Sequence, residues 1–255
     1  MNAKNGNVVL GIDIGGSGIK GALVDVDAGK LVEQRYRIPT PQPSKPKKVA
    51  KVVKQITDLF EWNGPVGATF PAILRDGVVH SAANVSKKWI GTDGRTLFEE
   101  RTGLRFELIN DADAAGIAEM TYGAGKGRDG TVLMLTLGTG IGSALFHDGV
   151  LVPNTELGHL IFKGSDAEHY AAESVREEED LSWKKWGKRV ARDLDHVEFL
   201  FSPDLIIIGG GVSKKHEKYF RYFETDAQIV PAQMLNEAGI IGAALVAQRA
   251  AQGSK

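Results

Sequence analysis

Hydrophobic positions in the first forty residues fall into short runs separated by glycine-rich breaks. Three apolar runs rich in β-branched residues follow one another: Val8–Ile14, Ile19–Val26 and Leu31–Ile38. The breaks between them read Gly-Gly-Ser-Gly and Asp-Ala-Gly-Lys, which are residues that tight turns prefer. The pattern predicts three consecutive antiparallel strands, after which four prolines between positions 39 and 46 form a stiff connector.

The remainder of the first half alternates between helical and strand periodicity. The pattern predicts an amphipathic helix, a short strand, a hairpin, another strand and a helix of small residues, in the order Lys47–Trp62, Val66–Phe70, Leu74–Ser81, Arg105–Ile109 and Ala112–Tyr122. A glycine-rich stretch, Gly123–Gly130, then interrupts the pattern and predicts a flexible loop, which is a candidate domain boundary.

The opening pattern recurs in the second half of the chain. VVLGIDIGGSGIKGALV from Val8 resembles TVLMLTLGTGIGSALF from Thr131. Val9 and Leu10 correspond to Val132 and Leu133, and the glycine turn recurs with one residue fewer. A strand, a glycine turn and a second strand therefore occur once in each half, which predicts a duplicated domain.

The second half continues with alternating helices and strands. The predicted elements are helices near Asp166–Ser174, Leu181–Leu200, Ser213–Tyr222 and Glu237–Arg249, and strands at Leu205–Ile208 and Ala227–Val230. Continuous apolar strands between helices are typical of an α/β protein whose sheets are covered on both faces. We expect a small N-terminal domain over residues 1–111, joined by the C-terminal helix at 237–255, and a larger domain over 112–236.

Composition excludes several classes of function. The 255 residues carry a formal net charge of −1, with 42% hydrophobic and 25% charged residues, so the chain is not a polycation built for nucleic acid. Cysteine is absent, which excludes disulfides, thiol nucleophiles and cysteine-containing zinc sites. No apolar run is long enough for a signal core or a membrane span, so we expect a cytoplasmic protein without a membrane partner.

The glycines of GIDIGGSGIKGALVD match the dinucleotide-binding pattern G-x-G-x-x-G at Gly16, Gly18 and Gly21. That pattern requires a helix after the glycines, because the helix N-terminus receives the pyrophosphate. Here a β-rich run follows instead, so the context argues against NAD binding. The motif of a P-loop, G-x-x-x-x-G-K-[ST], is also missing.

The residues alone leave two interpretations of the glycine hairpins open. Their backbone N–H groups can approach an anion closely because no Cβ intervenes. Alternatively, the glycines serve only to make tight turns. A third glycine cluster, Gly209–Gly211, follows the apolar strand at Leu205–Ile208 and favours the first reading.

Several motifs resemble those of a known family. Asp13–Lys20 (DIGGSGIK) and Leu137–Gly142 (LGTGIG) resemble the two phosphate motifs of the actin-like sugar kinases, and Ile207–Ser213 (IIGGGVS) resembles their adenosine motif. Asn110-Asp111 and Glu156–His159 (ELGH) resemble signatures of the ROK branch (repressor, open reading frame, kinase). The resemblance spans nearly the whole chain and is closest to the polyphosphate glucokinases and glucomannokinases of that branch.

The resemblance implies an actin-like (ribonuclease H-like) fold with a cleft between two domains. It also implies that glucose, and mannose as a further substrate, is phosphorylated at the 6-hydroxyl by inorganic polyphosphate or ATP with Mg²⁺, in a homodimer. Asp111 would be the general base that takes the hydroxyl proton. From the residues alone, Asp111 is equally well explained as a helix N-cap.

The same resemblance assigns the remaining site residues. The sugar would contact Asn84, Asn110, Asp111, Glu156, His159 and Glu168, whose carboxylate, amide and imidazole groups suit hydroxyls that both donate and accept. The phosphates would contact Asp13, Gly15, Gly16, Ser17, Gly18, Lys20, Gly138, Thr139 and Gly140. The nucleotide would contact Gly209, Gly210 and Gly211, and Asp13 would hold Mg²⁺ through water.

The sequence departs from the family pattern in two places. The cysteine cluster that follows the E-x-G-H motif in typical members is missing, so zinc is not expected, and the assignment of Glu168 crosses that gap. Only about seven residues precede the first strand, so the DNA-binding module of ROK repressors is not expected.

The phosphoryl donor remains open at the level of the residues. A polyphosphate chain needs a track of cations, and the basic run Trp183–Arg189 with Lys214 and Lys215 is a candidate for one. The alternative is a solvated helix face whose tryptophans pack on the core. Competing functions are a strictly ATP-dependent ROK glucokinase, a non-enzymatic ROK-type sugar sensor and an acetate-kinase-like enzyme.

Overall fold

The computed structural model describes residues 7–83, 85–162 and 164–253. The chain forms two compact units: unit 1 runs to Ala118 and includes the segment from Glu237 onwards, and unit 2 is Glu119–Asn236. The C-terminal helix therefore belongs to unit 1, and the division between the units falls after Ala118.

Unit 1 contains a six-stranded sheet. Its strands are β1 (Val8–Ile14), β2 (Gly18–Asp25), β3 (Lys30–Leu31), β4 (Tyr36–Pro39), β5 (Val66–Phe70) and, after the small hairpin of β6 (Leu74–Arg75) and β7 (Val78–Val79), β8 (Phe106–Asn110). The order is β3-β2-β1-β5-β8, with β4 also paired to β2. The single third strand expected at Leu31–Ile38 is wrong, because this run divides into β3 and β4, which pair with opposite ends of β2.

Four helices accompany this sheet. They are α1 (Pro46–Leu59), α2 (Gly94–Thr102), α3 (Asp111–Tyr122) and α7 (Ala238–Ala251). The valines and isoleucine of α1 that recur at helical spacing are buried, whereas its lysines face outward. The C-terminal α7 packs against β1, β5 and β8, and most of its residues are buried.

Unit 2 contains a five-stranded sheet and a small hairpin. Its strands are β9 (Thr131–Leu137), β10 (Ile141–His147), β11 (Val150–Val152), β12 (Ile161–Phe162), β13 (Ser165–Asp166), β14 (Leu205–Gly209) and β15 (Gln228–Pro231). The main sheet has the order β11-β10-β9-β14-β15, and β12 pairs with β13. β14 is buried along its whole length, as its continuous apolar sequence predicts.

The helices of unit 2 are α4 (Glu168–Ala171), α5 (Glu173–Glu178) and α6 (Trp183–Phe201). The single helix expected over Asp166–Ser174 is wrong, because Ala172 is extended and separates α4 from α5. The helix expected over Ser213–Tyr222 is replaced by two 3₁₀ helices, Gly211–Lys218 and Phe220–Tyr222. In the described residues, no helix has the length and apolar character needed to cross a bilayer.

The two sheets repeat the same frame in the same register. In unit 1, β1 is antiparallel to β2 and parallel to β5, and in unit 2, β9 is antiparallel to β10 and parallel to β14. β1 and β9 also share one order of buried and partly exposed positions over seven residues. The predicted duplication is therefore confirmed.

Candidate active site

The first glycine turn, Gly15–Gly18, joins β1 to β2. It closes through a hydrogen bond of 3.1 Å from the Gly15 N–H to the Gly18 carbonyl. The three carbonyls before Gly18 each accept a hydrogen bond from a side chain of the segment at residues 37–42: Thr40 to Gly15 (2.5 Å), Gln42 to Gly16 (3.1 Å) and Arg37 to Ser17 (2.9 Å).

This fixing of the carbonyls decides what the turn presents. Among the hydrogen bonds of the described residues, none uses the backbone N–H of Gly16 or Ser17. Both residues are exposed, so the two N–H groups are available to an anion. The phosphate-binding role of the turn stays a prediction, and these two N–H groups are the donors it would use.

Asp13 lies in a row of polar side chains just before the turn. The register pairs Asp13 with Lys20 on β2 and with Thr69 on β5. The Lys20 ammonium donates to Asp13 Oδ2 at 2.8 Å, and the Thr69 hydroxyl donates to Asp13 Oδ1 at 2.9 Å. Asp13 therefore holds Lys20 beside the turn, with one-fifth of the aspartate side chain still exposed.

Asn110 and Asp111 lie where β8 passes into α3. Asn110 is buried, and its Oδ1 accepts hydrogen bonds from the Ala112 and Asp113 N–H groups, at 2.8 and 3.1 Å. Asn110, and not Asp111, thus supplies the main cap of α3. Its Nδ2 donates to the Ala72 carbonyl, so the sugar contact predicted for Asn110 would fall to the second amide hydrogen.

Asp111 is exposed at the first position of α3, and its Oδ1 accepts the Ala112 N–H at 3.0 Å. Because Asn110 caps the helix, the Asp111 carboxylate is set at the surface, beside the positive end of the helix dipole. The Asp111 carboxylate is therefore accessible from solvent, and its role as general base stays a prediction. The predicted sugar ligand Asn84 lies outside the described residues.

The second glycine turn, Gly138–Gly140, joins β9 to β10. It closes through a hydrogen bond of 3.0 Å from the Gly138 N–H to the Gly140 carbonyl. Ser174 of α5 fixes its carbonyls: the Ser174 N–H donates to Gly138 at 3.1 Å, and the hydroxyl donates to Thr139 at 2.7 Å. The arrangement matches the first turn, with carbonyls engaged from another segment.

Glu168 lies directly against this second turn. Its Oε2 accepts the N–H of Ile141 at 3.3 Å, and the carboxylate fills the space where a side chain on Gly140 would lie. The proposed sugar ligand Glu168 and the proposed phosphate turn are therefore neighbours in unit 2.

The loop that carries Glu156 and His159 is fixed to β10. The buried Ser143 hydroxyl accepts the Leu157 N–H at 3.0 Å and donates to the Thr155 carbonyl at 2.8 Å. Gly158 packs so closely on β10 that a Cβ would lie 2.2 Å from the Ile141 carbonyl oxygen. The glycine of the ELGH motif is therefore required for close packing. Glu156 comes directly before a short 3₁₀ helix, Leu157–His159, and His159 is its last residue.

Two carboxylates lie close to His159, and we call His159, Asp166, Glu168 and Glu156 the His159 cluster. The His159 Nδ1 lies 2.8 Å from Asp166 Oδ2 and 4.0 Å from Glu168 Oε1. The hydrogen bond to Asp166 raises the pKa of His159. Burial, with a smaller contribution from the nearby Glu168 charge, raises the pKa of Glu156. The cluster therefore places hydrogen-bonding groups of several kinds in one small area, which suits sugar hydroxyls.

His159, Asp166 and Glu168 could also hold a metal ion, since one ligand atom from each lies within 4.8 Å of the others. Such a site would use imidazole nitrogen and carboxylate oxygen only. Cysteine is absent, so it would differ from the cysteine-containing sites considered above.

Gly209–Gly211 continue β14 into the first 3₁₀ helix. Gly210 has φ of +84° and ψ of 175°, a backbone region open almost only to glycine, and a Cβ there would lie 2.1 Å from the Leu137 carbonyl oxygen. A Cβ on Gly211, in contrast, would meet no atom within 4 Å. The motif thus lies beside the end of β9 and leaves open space at Gly211.

The basic run Trp183–Arg189 does not form one continuous track. Trp186 is fully buried and donates to the Ala171 and Ala172 carbonyls. Arg189 is engaged by Glu179 in two hydrogen bonds of 2.6 and 3.1 Å. Only the three lysines of the run, Lys184, Lys185 and Lys188, are exposed on α6.

Sequence reasoning missed the residues that fix the two turns. Arg37, Thr40, Gln42 and Ser174 act through side-chain bonds to turn carbonyls, which no local motif encodes. The pairing of Asp13 with Lys20 had a signal, because a turn at Gly15–Gly18 places Ile14 opposite Ile19 and therefore Asp13 opposite Lys20.

Comparison with known proteins places this architecture. The family model described as "ROK family" matches residues 9–172 and 163–250. A protein named polyphosphate glucokinase from Mycobacterium tuberculosis is 50% identical over 237 residues, covering 92% of this chain and 89% of that protein. A glucokinase from Thermotoga maritima is 24% identical over 308 residues, covering 93% of this chain and 96% of that protein.

Solved structures give the same result. The inorganic polyphosphate/ATP-glucomannokinase of Arthrobacter sp. strain KM has a TM-score of 0.91 and 52% identity, covering 96% of this chain and 99% of that one. A ROK family glucokinase from Streptomyces griseus, solved with glucose and AMPPNP, has a TM-score of 0.80 at 23% identity, over 95% and 99%. The fold is the actin-like α/β fold with a duplicated domain, and the chain belongs to the ROK family.

Proposed function

We propose that this protein transfers a phosphoryl group from inorganic polyphosphate or ATP to the 6-hydroxyl of glucose, with Asp111 as the general base. The enzyme is a polyphosphate/ATP-dependent glucokinase, a phosphotransferase of the hexokinase type. We infer the donor and the acceptor from two relatives that are 50% and 52% identical to this chain. Their names are polyphosphate glucokinase and inorganic polyphosphate/ATP-glucomannokinase.

The observation that carries the mechanism is the exposed carboxylate of Asp111 at the start of α3. Asn110 performs the capping that would otherwise explain an aspartate at this position. We assign the base to Asp111 because it is exposed and its place in the Asn110-Asp111 motif matches the family signature, and it takes the 6-hydroxyl proton as the oxygen attacks the terminal phosphorus of the donor.

The transfer balances as follows. The sugar 6-oxygen forms a bond to the terminal phosphorus, and the bond from that phosphorus to its bridging oxygen breaks. The hydroxyl proton goes to Asp111, and the bond electrons leave on the bridging oxygen. The products are glucose 6-phosphate and either ADP or a polyphosphate chain shorter by one phosphate.

Donor phosphates are bound by the backbone and by one cation. Taken separately, each unit offers amide donors that suit phosphate oxygens: the N–H groups of Gly16 and Ser17 in unit 1, and the turn Gly138–Gly140 in unit 2. Lys20, held at 2.8 Å from Asp13, adds a positive charge beside the first turn. These groups stabilise the negative charge that moves onto the leaving oxygen.

Asp13 fits the role of a magnesium ligand through water. Mg²⁺ is commonly bound by one or two carboxylates plus substrate phosphates and keeps several waters. Both Asp13 oxygens already accept hydrogen bonds from Lys20 and Thr69, which favours an indirect contact over direct ligation. Bound Mg²⁺ would neutralise phosphate charge, while Asp13 orients its water shell.

In unit 2, Glu156, His159 and Glu168 are the residues that we assign to glucose, and in unit 1 the family resemblance assigns Asn110 to the sugar, together with Asn84, which lies outside the described residues. Fixing Glu168 to Ile141 and His159 to Asp166 limits the rotamers of both side chains before the sugar binds. Gly209–Gly211 accommodate the nucleoside when ATP is the donor, and mannose is a second acceptor.

The resemblance also supports a homodimer that works in the cytoplasm, where ATP and free sugars are available. Light scattering coupled to size-exclusion chromatography measures the oligomer, and a mass of about 27.5 kDa for the eluting species would reject the dimer.

The test is a coupled assay of glucose 6-phosphate with polyphosphate, ATP or neither, repeated on Asp111→Asn. We expect kcat to fall by roughly 10²–10⁴-fold with either donor, because general base catalysis contributes about that much. Asp58→Asn on α1 is a matched control at an exposed aspartate and should keep full activity.

Unchanged turnover in Asp111→Asn would reject the base. Product with ATP alone would demote the protein to a strictly ATP-dependent glucokinase, and sugar binding without product from any donor would identify a sugar sensor.

A further inference from the structure

Three cations surround the ring of Trp183 at the start of α6. The Arg176 guanidinium carbon lies 4.3 Å from the ring centroid, the Lys218 ammonium 5.4 Å and the Lys215 ammonium 5.7 Å. We call these four residues the Trp183 cluster. Tyr219 stacks on the same indole with ring planes 15° apart, which holds the ring in place.

The three cations of the cluster differ in their acidic neighbours. Arg176 lies 3.6 Å from Glu173 and 3.3 Å from Glu177, so its charge is neutralised. Lys215 and Lys218 are exposed, with Glu217 between them in the chain, and neither lysine is within ion-pair distance of a carboxylate among the residues that the structure describes. The two lysines are therefore the cations of this cluster that no ion pair engages.

Two connections tie the cluster to the donor machinery of unit 2. Arg176 is on α5, two residues beyond Ser174, which fixes the second glycine turn; the helical rise makes this a step of roughly 3 Å. Lys215 and Lys218 lie on the 3₁₀ helix that begins at Gly211. The residues of the cluster are thus close in the chain to Ser174, which fixes the second glycine turn, and to the glycine motif after β14.

The chemistry of the cluster selects one kind of ligand. A polyphosphate chain is anionic along its whole length, whereas the charge of ATP ends at the α-phosphate. Cations that lie beside the donor turn therefore add attraction for each further phosphate of a chain, and this attraction weakens as salt rises. The indole face also holds the ammonium groups near it, which reduces the ordering needed on binding.

We propose that the Trp183 cluster is a secondary binding site for inorganic polyphosphate, which holds the part of the chain beyond the phosphates at the reaction centre. This inference rests on the proposed function and specifies where the longer of its two donors binds. It also replaces the continuous track expected along Trp183–Arg189, because Trp186 and Arg189 are engaged elsewhere.

The test compares two double variants that each remove two positive charges. Lys215→Ala/Lys218→Ala removes the charges from the indole face. The control, Lys184→Ala/Lys188→Ala, removes exposed lysines that are close in sequence on α6 but make no contact with the ring of Trp183.

Isothermal titration with long-chain polyphosphate and with tripolyphosphate measures binding without catalysis. We expect the Lys215/Lys218 variant to weaken long-chain binding roughly tenfold at moderate salt and to flatten its salt dependence, because two phosphate contacts are lost. Tripolyphosphate binding should change by less than about twofold, since a short anion gains little from distant cations. The control variant should bind long chains within about twofold of wild type.

The ratio of kcat/KM for polyphosphate to kcat/KM for ATP gives the functional readout, and it should fall about tenfold in the Lys215/Lys218 variant only. Equal losses in the two double variants, or unchanged long-chain binding in the first, would overturn the site. Failure of the proposed donor looks different: wild type would then form no glucose 6-phosphate from polyphosphate, while the titration still decides whether the cluster binds the chain.

Discussion

The two glycine turns are built on the same frame but present different chemistry. In both, a glycine N–H closes the turn and the turn carbonyls are engaged by another segment, which leaves amides for an anion. Asp13 and Thr136 occupy equivalent positions, one residue before the end of β1 and of β9.

The row of side chains across the sheet at that position is where the units differ. In unit 1 the row is Lys20, Asp13 and Thr69. In unit 2 it is Gly142, Thr136 and Gly209, which carries no charge and little bulk. Both copies of the frame therefore have the amide turn, but only the strand row of unit 1 carries charged residues.

The two units therefore place different side chains beside the same glycine turn. Unit 1 has the ion pair beside its turn, which suits phosphate and magnesium. Unit 2 has small residues in this row and brings the carboxylate of Glu168 against its turn from α4, so a predicted sugar ligand lies beside a predicted phosphate turn. Sequence similarity between the halves marks what is shared, and the departures from it mark what each half does.

The largest expected difference between the two units is between two single variants at equivalent positions, Asp13→Asn in unit 1 and Thr136→Val in unit 2. We expect Asp13→Asn to lower kcat by roughly 10²-fold with both donors, because it removes charge that positions Lys20 and the metal water shell. Thr136→Val should cost less than about fivefold, since it loses one neutral hydroxyl. Steady-state kinetics decides, and equal losses would show that the two rows are not specialised.

The second test concerns backbone and uses Gly210→Ala with Gly211→Ala. Gly210 corresponds in register to Phe70 of unit 1, so the left-handed glycine is particular to unit 2. Gly210→Ala should destabilise the fold by roughly 2–4 kcal/mol and lower Tm by about 5–15 °C, from backbone strain and the approach to Leu137. Gly211→Ala meets no neighbour and should change Tm by less than about 2 °C.

A smaller effect tests what the turns share. Thr40→Val and Ser174→Ala each remove a hydroxyl that donates to a turn carbonyl. Each should raise the donor KM roughly two- to tenfold through the loss of one hydrogen bond, with glucose KM nearly constant. Thr57→Val, which removes a hydroxyl bonded to a carbonyl within α1, is the control; a donor KM unaffected by both turn variants would reject the positioning role.

The smallest expected effect is a pH dependence in unit 2. Because the pKa of His159 is raised by Asp166, the protonated pair stabilises the folded state below the ordinary histidine pKa, and this contribution is lost as pH rises through the folded-state pKa. Asp166→Asn should lower Tm by about 1–3 °C near pH 6, a small change because the histidine is half-exposed.

The difference in Tm between this variant and wild type should shrink as the pH rises through the folded-state pKa of His159, because the imidazole is then neutral. A Tm difference that is constant or grows with pH would contradict the assignment.

The frame of the fold was predictable from local signals. Glycine turns between apolar runs predict β1, β2, β9 and β10, and the repeat predicts their equivalent registers. The short helix α2 was not predicted, since its capping Asp93 and terminal Gly103 bracket only nine residues of weak periodicity. The division of Leu31–Ile38 into two strands was also missed, because both ends of β2 compete for the same run.

The site was predictable only where one motif carries its own geometry. The placement of Asp111 at the start of a helix follows from the strand and helix around it. That Asn110 caps the helix depends on the buried bond from its amide to Ala72, which is 38 residues away in the chain. Likewise, Lys218 meets Trp183 through tertiary packing between segments 35 residues apart, which hydrophobic periodicity does not encode.

The most direct measurement of the central claim is a ³¹P NMR spectrum of the purified protein with glucose, Mg²⁺ and long-chain polyphosphate in nucleotide-free buffer. We expect a growing glucose 6-phosphate signal with wild type, and a rate of growth that is lower by about two orders of magnitude or more in Asp111→Asn. A spectrum in which polyphosphate stays intact until ATP is added, or in which Asp111→Asn reacts as fast as wild type, would contradict it.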